Sequence, residues 1–393
     1  MSTFRLPPAA STHPGAATPR CAARAALLVG ALALAGCGGA PDDPGHAGTP
    51  AGGAMLLAEA QLAPVSKPVA GGDAASVVPE PPVVSKPPPA PVPVAVPVVA
   101  GKVRYGVPVA AALGAGGSLQ GAVPFPQDDL WNRDVSHTPV DPASEALIAR
   151  IGATLPLQLG FGRTEGVPYV VVDAAQPTRP VRTPDGASRT WPLPADAALA
   201  QDGSGRLIVL DRDGGRLYEL EGAARAADGA WTADGATAWA LDVANGLPVD
   251  GTPLRAGGTG LPMFAGLLRA DDAAAGVIRH ALRVTVPWLR DAWQFPARRA
   301  PGAALPDPSL PPVGLRLRLK AGVPIPDTVS LPARAILQAM KTYGLIVVGT
   351  GPAWAIDGAP DAGWDTVRLA GELARVRGEH FEVLSADGPV TVR

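Results

Sequence analysis

Arg206-Leu207-Ile208-Val209-Leu210-Asp211, then Arg212-Asp213-Gly214-Gly215, then Arg216-Leu217-Tyr218-Glu219-Leu220 reads as a β-hairpin. Two apolar runs flank an Asp-Gly-Gly turn, and the glycines supply the positive φ that a tight reversal requires. Neighbouring segments have the same character. Tyr169-Val170-Val171-Val172 is a short apolar run between Pro168 and Asp173, the pattern of a buried strand. Trp231-Thr232 and Ala238-Trp239-Ala240-Leu241 follow across Asp234-Gly235. A long strand is expected over 277–286, and 315–320 alternates strictly between Leu and a basic residue. Helices are fewer. The spacing predicts them over 144–151, 331–343 and 364–376, the second closed by Gly344 and the third by Gly378. Helices scattered among strands, rather than alternating with them, point to a β-dominated α+β domain. A two-sheet, sandwich-like arrangement with about three peripheral helices is expected.

Outward from this core the composition changes. The 393 residues include 47 Gly and 46 Pro, at their highest density before residue 125, whereas all 8 Trp lie between 131 and 364. One globular domain over 121–393 is therefore expected behind a disordered Pro/Ala/Gly-rich linker, 37–120. The densest part, 77–99, contains Pro87-Pro88-Pro89-Ala90-Pro91-Val92-Pro93. Pro fixes φ and extends the residue before it, so such a stretch favours polyproline II and forms a spacer of roughly 70 Å.

The first 36 residues read as an export signal. Arg20 and Arg24 precede an apolar stretch, 25–35, that is too short to span a bilayer. It ends in Leu34-Ala35-Gly36-Cys37. That ending resembles the lipobox of bacterial lipoproteins, which implies cleavage before Cys37 and lipidation of its thiol. Gly38, rather than Asp, resembles proteins sorted to the outer membrane in organisms that have one. The expectation is an extracytoplasmic, lipid-anchored cell-envelope protein. The chain's 2 Cys are Cys21 and Cys37, and the first lies in the removed segment. The mature domain then has no disulfide, no cysteine nucleophile and no cysteine metal ligand.

Several phrases stand together in the domain: Phe125-Pro126-x-Asp128-x-x-Trp131-Asn132, Gly276-x-Ile278-x-His280-Ala281-Leu282-Arg283, Lys341-x-Tyr343-Gly344 and Gly358-Ala359-Pro360-Asp361-x-x-Trp364-Asp365. They resemble an uncharacterised family of exported bacterial proteins, over about 121–385. The resemblance implies export and a domain boundary, and no activity. In this chain Gly349-Thr350-Gly351 stands before Trp354, where the family pattern has a more polar stretch.

A net charge of −2 argues against bulk nucleic-acid binding. The sequence has no Gly-x-Ser-x-Gly, His-Glu-x-x-His or phosphate-loop signature, and no cofactor or metal site is expected. The candidate residues are few. If 277–286 is a strand, His280 falls on its apolar face. There it is either a core histidine with a fixed partner or an acid, base or ligand contact in a cleft. Arg279 and Arg283 fall on the opposite face, and Arg316 and Arg318 share one face of their own strand. Together these arginines form either a solvated sheet face or a surface for an anionic glycan. Trp354 and Trp364 flank Asp357 and Asp361. Two carboxylates beside aromatic rings suit glycoside cleavage, and they equally suit a turn. The reading is a domain that contacts a cell-surface or extracellular polysaccharide, with cleavage open. The alternative is a non-catalytic envelope scaffold.

Overall fold

A computed structural model describes residues 103–254, 258–302, 304–386 and 388–392. Cys37, the export signal and the Pro-rich part of the tether lie outside the described residues. The hairpin forms as read: Leu207–Asp211 pairs antiparallel with Arg216–Glu221, Asp211 opposite Arg216. The Asp211 carboxylate accepts the Asp213 and Gly214 N–H groups, and Gly215 takes φ 62. These strands lie inside a five-stranded sheet ordered Gly235–Ala240, Arg216–Glu221, Leu207–Asp211, Tyr169–Val172, Gly114–Ala115.

Alternation gives this sheet two buried faces. Ile208, Leu210 and Leu217 point into the main core. Leu207, Val209, Tyr218 and Leu220 point into a second core with Val181, Trp191 and Trp231. The second core is closed by a four-stranded sheet ordered Ala224–Arg225, Trp231–Thr232, Arg179–Arg182, Ser188–Trp191. On the main-core side stands a six-stranded sheet ordered Phe381–Val383, Arg316–Leu319, Leu345–Thr350, Leu282–Val286, Ala355–Ile356, Gln158–Leu159. The domain is β-dominated α+β. In place of two sheets it has three of four or more strands, because the central sheet is apolar on both faces and needs a cover for each.

The helices are α1 (Ser144–Ile151), α2 (Ala270–Ala274), α3 (Leu331–Thr342) and α4 (Thr366–Leu373). Ser330 caps α3 by accepting the Ala333 N–H, and Pro332 occupies the first turn, where its missing N–H costs nothing. Asp365 caps α4 in the same way. α3 lies in the crossover between the parallel strands Leu282–Val286 and Leu345–Thr350. The five-residue α2 was not foreseen. No helix among the described residues is long and apolar enough to cross a membrane.

The helix expected over 364–376 forms over Thr366–Leu373, and two larger boundaries differ from expectation. The long strand 277–286 shortens to Leu282–Val286. Gly276 turns the chain out of α2 with φ 75, and the Ala281 N–H is taken by the Trp131 carbonyl at 2.6 Å. The ordered domain also starts before 121. Arg104–Tyr105 pairs with Ala122–Val123, and Gly114–Ala115 pairs with Tyr169–Val172. Ala111 and Leu119 are fully buried in the main core. Asp271 holds this segment by accepting the Ser118 hydroxyl at 2.8 Å and the Leu119 N–H at 2.9 Å. The stretch 104–120 is therefore packed structure and not linker, a correction that its Gly-rich composition conceals.

Candidate functional site

The arginine face is aligned as expected but covered. Arg283 and Arg316 both pair across the strand between them with Ile346, so they share a side of the sheet with Arg318. Arg316 and Arg318 are 7% and 9% exposed. Arg316 donates to the carbonyls of Leu130 and Tyr343, each at 2.6 Å. Arg318 donates to the Val135 carbonyl and to Glu382, each at 2.5 Å. Arg283 donates to Asp357 Oδ2 at 3.1 Å and to the Pro262 carbonyl at 3.1 Å. The segment 130–138 lies over the Arg316 and Arg318 guanidiniums, which donate to its carbonyls. Arg279 is half-buried beside Asp272 and is not on a strand. An anionic glycan has no free arginine surface to meet here.

The Phe125 to Asn132 motif builds that cover. Asn132 Nδ2 donates to the carbonyls of Pro124, Phe125 and Pro126. Asp129 accepts the N–H groups of Trp131 and Asn245. Trp131 packs so close to Gly266 that a Cβ there would stand 2.1 Å from its ring.

Trp354 and Trp364 offer no platform. Trp354 is fully buried, donates its indole N–H to Gly152 and stacks on Phe381 with centroids 5.0 Å apart. Trp364 is buried against Phe161 and donates to the Ala359 carbonyl. The exposed indole is that of Trp288, which the sequence reading passed over.

His280 is enclosed, at 1% exposure. Its Nδ1 lies 2.9 Å from the Ala281 carbonyl and its Nε2 3.7 Å from Asp272 Oδ2. Asp272 also pairs with the buried Arg269. Burial pushes the Asp272 carboxyl up, but Arg269 and His280 outweigh it and hold it below the ordinary carboxylate range. The core-histidine reading fits this geometry. A side chain this enclosed does not suit an acid, base or ligand contact, which must reach solvent or ligand.

Glu219, read only as part of the hairpin, is fully buried on the main-core face. It accepts the Trp239 indole N–H and the Phe264 N–H, each at 2.9 Å. Burial pushes its carboxyl up to about 7 despite these bonds. Nothing local in the sequence marks it, because Leu217, Tyr218 and Leu220 around it are apolar on both faces of the strand.

Asp357 and Asp361 separate into different roles. Asp357 is tied to Arg283. Asp361 sits in the turn before α4, accepts the Gly363 N–H at 2.7 Å, and lines a cavity of about 650 Å³. This cavity opens beside the strand Tyr169–Val172, between the rims 194–198 and 360–362. Asp173, Asp196, Gln176 and Arg163 line it with Asp361, over a floor that includes Leu113, Val170 and Leu207. Arg225 donates to the Ala197 carbonyl at 2.5 Å while stacking on Trp231, and so pins one rim. The Asp361 N–H donates to the Gly162 carbonyl and joins the other rim to the Arg163 loop. No family model matches the sequence, and no solved structure matches the fold.

No group of three or more His, Cys, Asp or Glu residues able to hold a metal ion occurs among the described residues. Of the residues singled out from sequence, Asp361 alone lines the cavity. Its companions come from loops that follow strands of three different sheets, and no local spacing announces that convergence.

Proposed function

We propose that the chain is a lipid-anchored cell-envelope protein whose β-rich domain binds a glycan in this cavity without cleaving it. The observation that carries the reading is the cavity itself: hydroxyl-accepting carboxylates and an amide around an apolar floor, on rims held by backbone bonds. Sugars present that mixture of hydroxyls and C–H faces, and a site of a few hundred Å³ suits a short oligosaccharide. Asp357, the expected second carboxylate of a cleaving pair, is engaged by Arg283, which favours binding over hydrolysis. The anchor rests on Leu34-Ala35-Gly36-Cys37.

The test uses the full chain made in a lipoprotein-processing bacterium and extracted in detergent. Titration with envelope oligosaccharides should give binding that Asp361→Asn weakens, with no shortening of the sugar by chromatography. Absence of binding across the panel would leave the scaffold reading. Cys37→Ala should abolish palmitate labelling and membrane partitioning. A variant still labelled and still membrane-bound would remove the anchor from the proposal.

A further inference from the structure

Asp173, Asp196 and Asp361 line the cavity, and none of them is in an ion pair among the described residues. Enclosed acids elsewhere are held either by N–H donors, as Glu219 and Asp129 are, or by an arginine. Asp272, Asp357 and Glu382 each have an arginine partner. Arg163, the single cation of the lining, pairs with none of the three. The cavity thus holds three carboxylates against one guanidinium. A concave, apolar-floored wall focuses such a charge imbalance, because solvent screens it less than it would on an open surface.

Resting on the glycan reading above, we infer that the cavity selects a cationic, amine-bearing sugar chain, of the glucosamine type, over neutral or acidic ones. Each protonated amine would replace the missing cationic partner of a carboxylate, while flanking hydroxyls donate to the remaining oxygens. The basic arginine face that would have suited an acidic polymer is occupied by backbone carbonyls and by Asp357 and Glu382, so charge selection rests with the cavity.

A basic peptide has matching charge but a poorer fit. An extended peptide gains most of its affinity by adding to a sheet edge. The edge beside the cavity is Gly114–Ala115, only two residues long. Gly114 has φ 104 and Gly116 φ 62. These left-handed positions bend the backbone away from the extended geometry that a pairing strand needs.

The experiment titrates detergent-extracted full chain with four probes at about pH 5.5, where both amines and carboxylates are charged. The probes are a glucosamine tetramer with free amines, its N-acetylated counterpart, a galacturonate tetramer and a Lys-Gly peptide of similar length. The free-amine tetramer should bind at least about tenfold more tightly than the others, and its affinity should fall steeply with salt. Asp196→Asn with Asp361→Asn should remove most of that preference, and Arg163→Gln should strengthen binding. Circular dichroism checks that each variant is folded. Equal affinity for the N-acetylated tetramer would overturn the charge selection and leave the glycan reading standing. Tighter binding of the galacturonate would do the same. Tighter binding of the peptide would overturn the sugar and keep the cationic class. No binding by any probe would end both.

Discussion

Arg283 and Asp357 form an ion pair, Nε to Oδ2 3.1 Å, with side chains only 8% and 13% exposed. The pair joins the strand Leu282–Val286 to the turn that leads toward the cavity rim. The backbone runs in parallel with it: the Asp357 N–H donates to the Arg283 carbonyl, and the Leu268 N–H to the Asp357 carbonyl. A carboxylate that sequence alone could assign to catalysis is thus a structural tie. Removing one partner strands the other charge in a buried setting. Asp357→Asn should destabilise the domain by about 3 kcal/mol, measured by chemical denaturation. A loss below about 1 kcal/mol would mean the pair is solvated and the tie is not structural.

Glu219 gives stability a pH signature. Its folded-state carboxyl lies near 7, above the ordinary 4.5. Between these values the unfolded chain has released the proton that the folded chain still holds, so stability falls as pH rises. Below about 4.5 the contribution is fully present, and above about 7 it is gone. Relative to Glu219→Gln, the native protein should lose on the order of 3 kcal/mol across that window. Parallel pH–stability curves for the two proteins would refute this.

Gly266 is a close-approach glycine. A methyl there meets the Trp131 ring at 2.1 Å and Arg283 Cγ at 2.8 Å. Gly266→Ala should cost about 1–3 kcal/mol by overpacking. Melting indistinguishable from the native protein would show that the 125–138 cover is loosely held.

His280→Ala removes an enclosed imidazole from the Asp272–Arg269 cluster and leaves a cavity. A cost of about 2–4 kcal/mol and reduced soluble yield are expected. Sugar binding by the surviving folded fraction should be unchanged, since His280 does not line the cavity. Weakened binding at full stability would reverse the assignment.

Residues 104–120 are part of the folded domain. Deleting them from the full chain removes buried Ala111 and Leu119 and exposes the sheet edge they cover. The melting temperature should drop by several degrees. An unchanged value would return this stretch to the linker.

The hairpin at 207–221, the Tyr169–Val172 strand and the Gly344 stop of α3 were legible in the sequence, because apolar runs and turn glycines act over a few positions. The 277–286 strand was over-extended because a Trp131 carbonyl, distant in sequence, takes the Ala281 N–H. The 104–120 stretch was missed because short Gly-rich strands have no periodicity of their own.

Sequence by itself determined that Arg316 and Arg318 share one face and that Leu317 and Leu319 share the other, since side chains alternate along any strand. Only tertiary structure decided that backbone carbonyls cover the arginine face and that Trp354 and Trp364 are core. It also decided that Asp361 meets Asp173 and Asp196 around one cavity. The physical reason is range: alternation follows from the bonds of one chain segment, whereas cover and convergence depend on segments more than a hundred residues apart, joined by contacts that leave no local pattern.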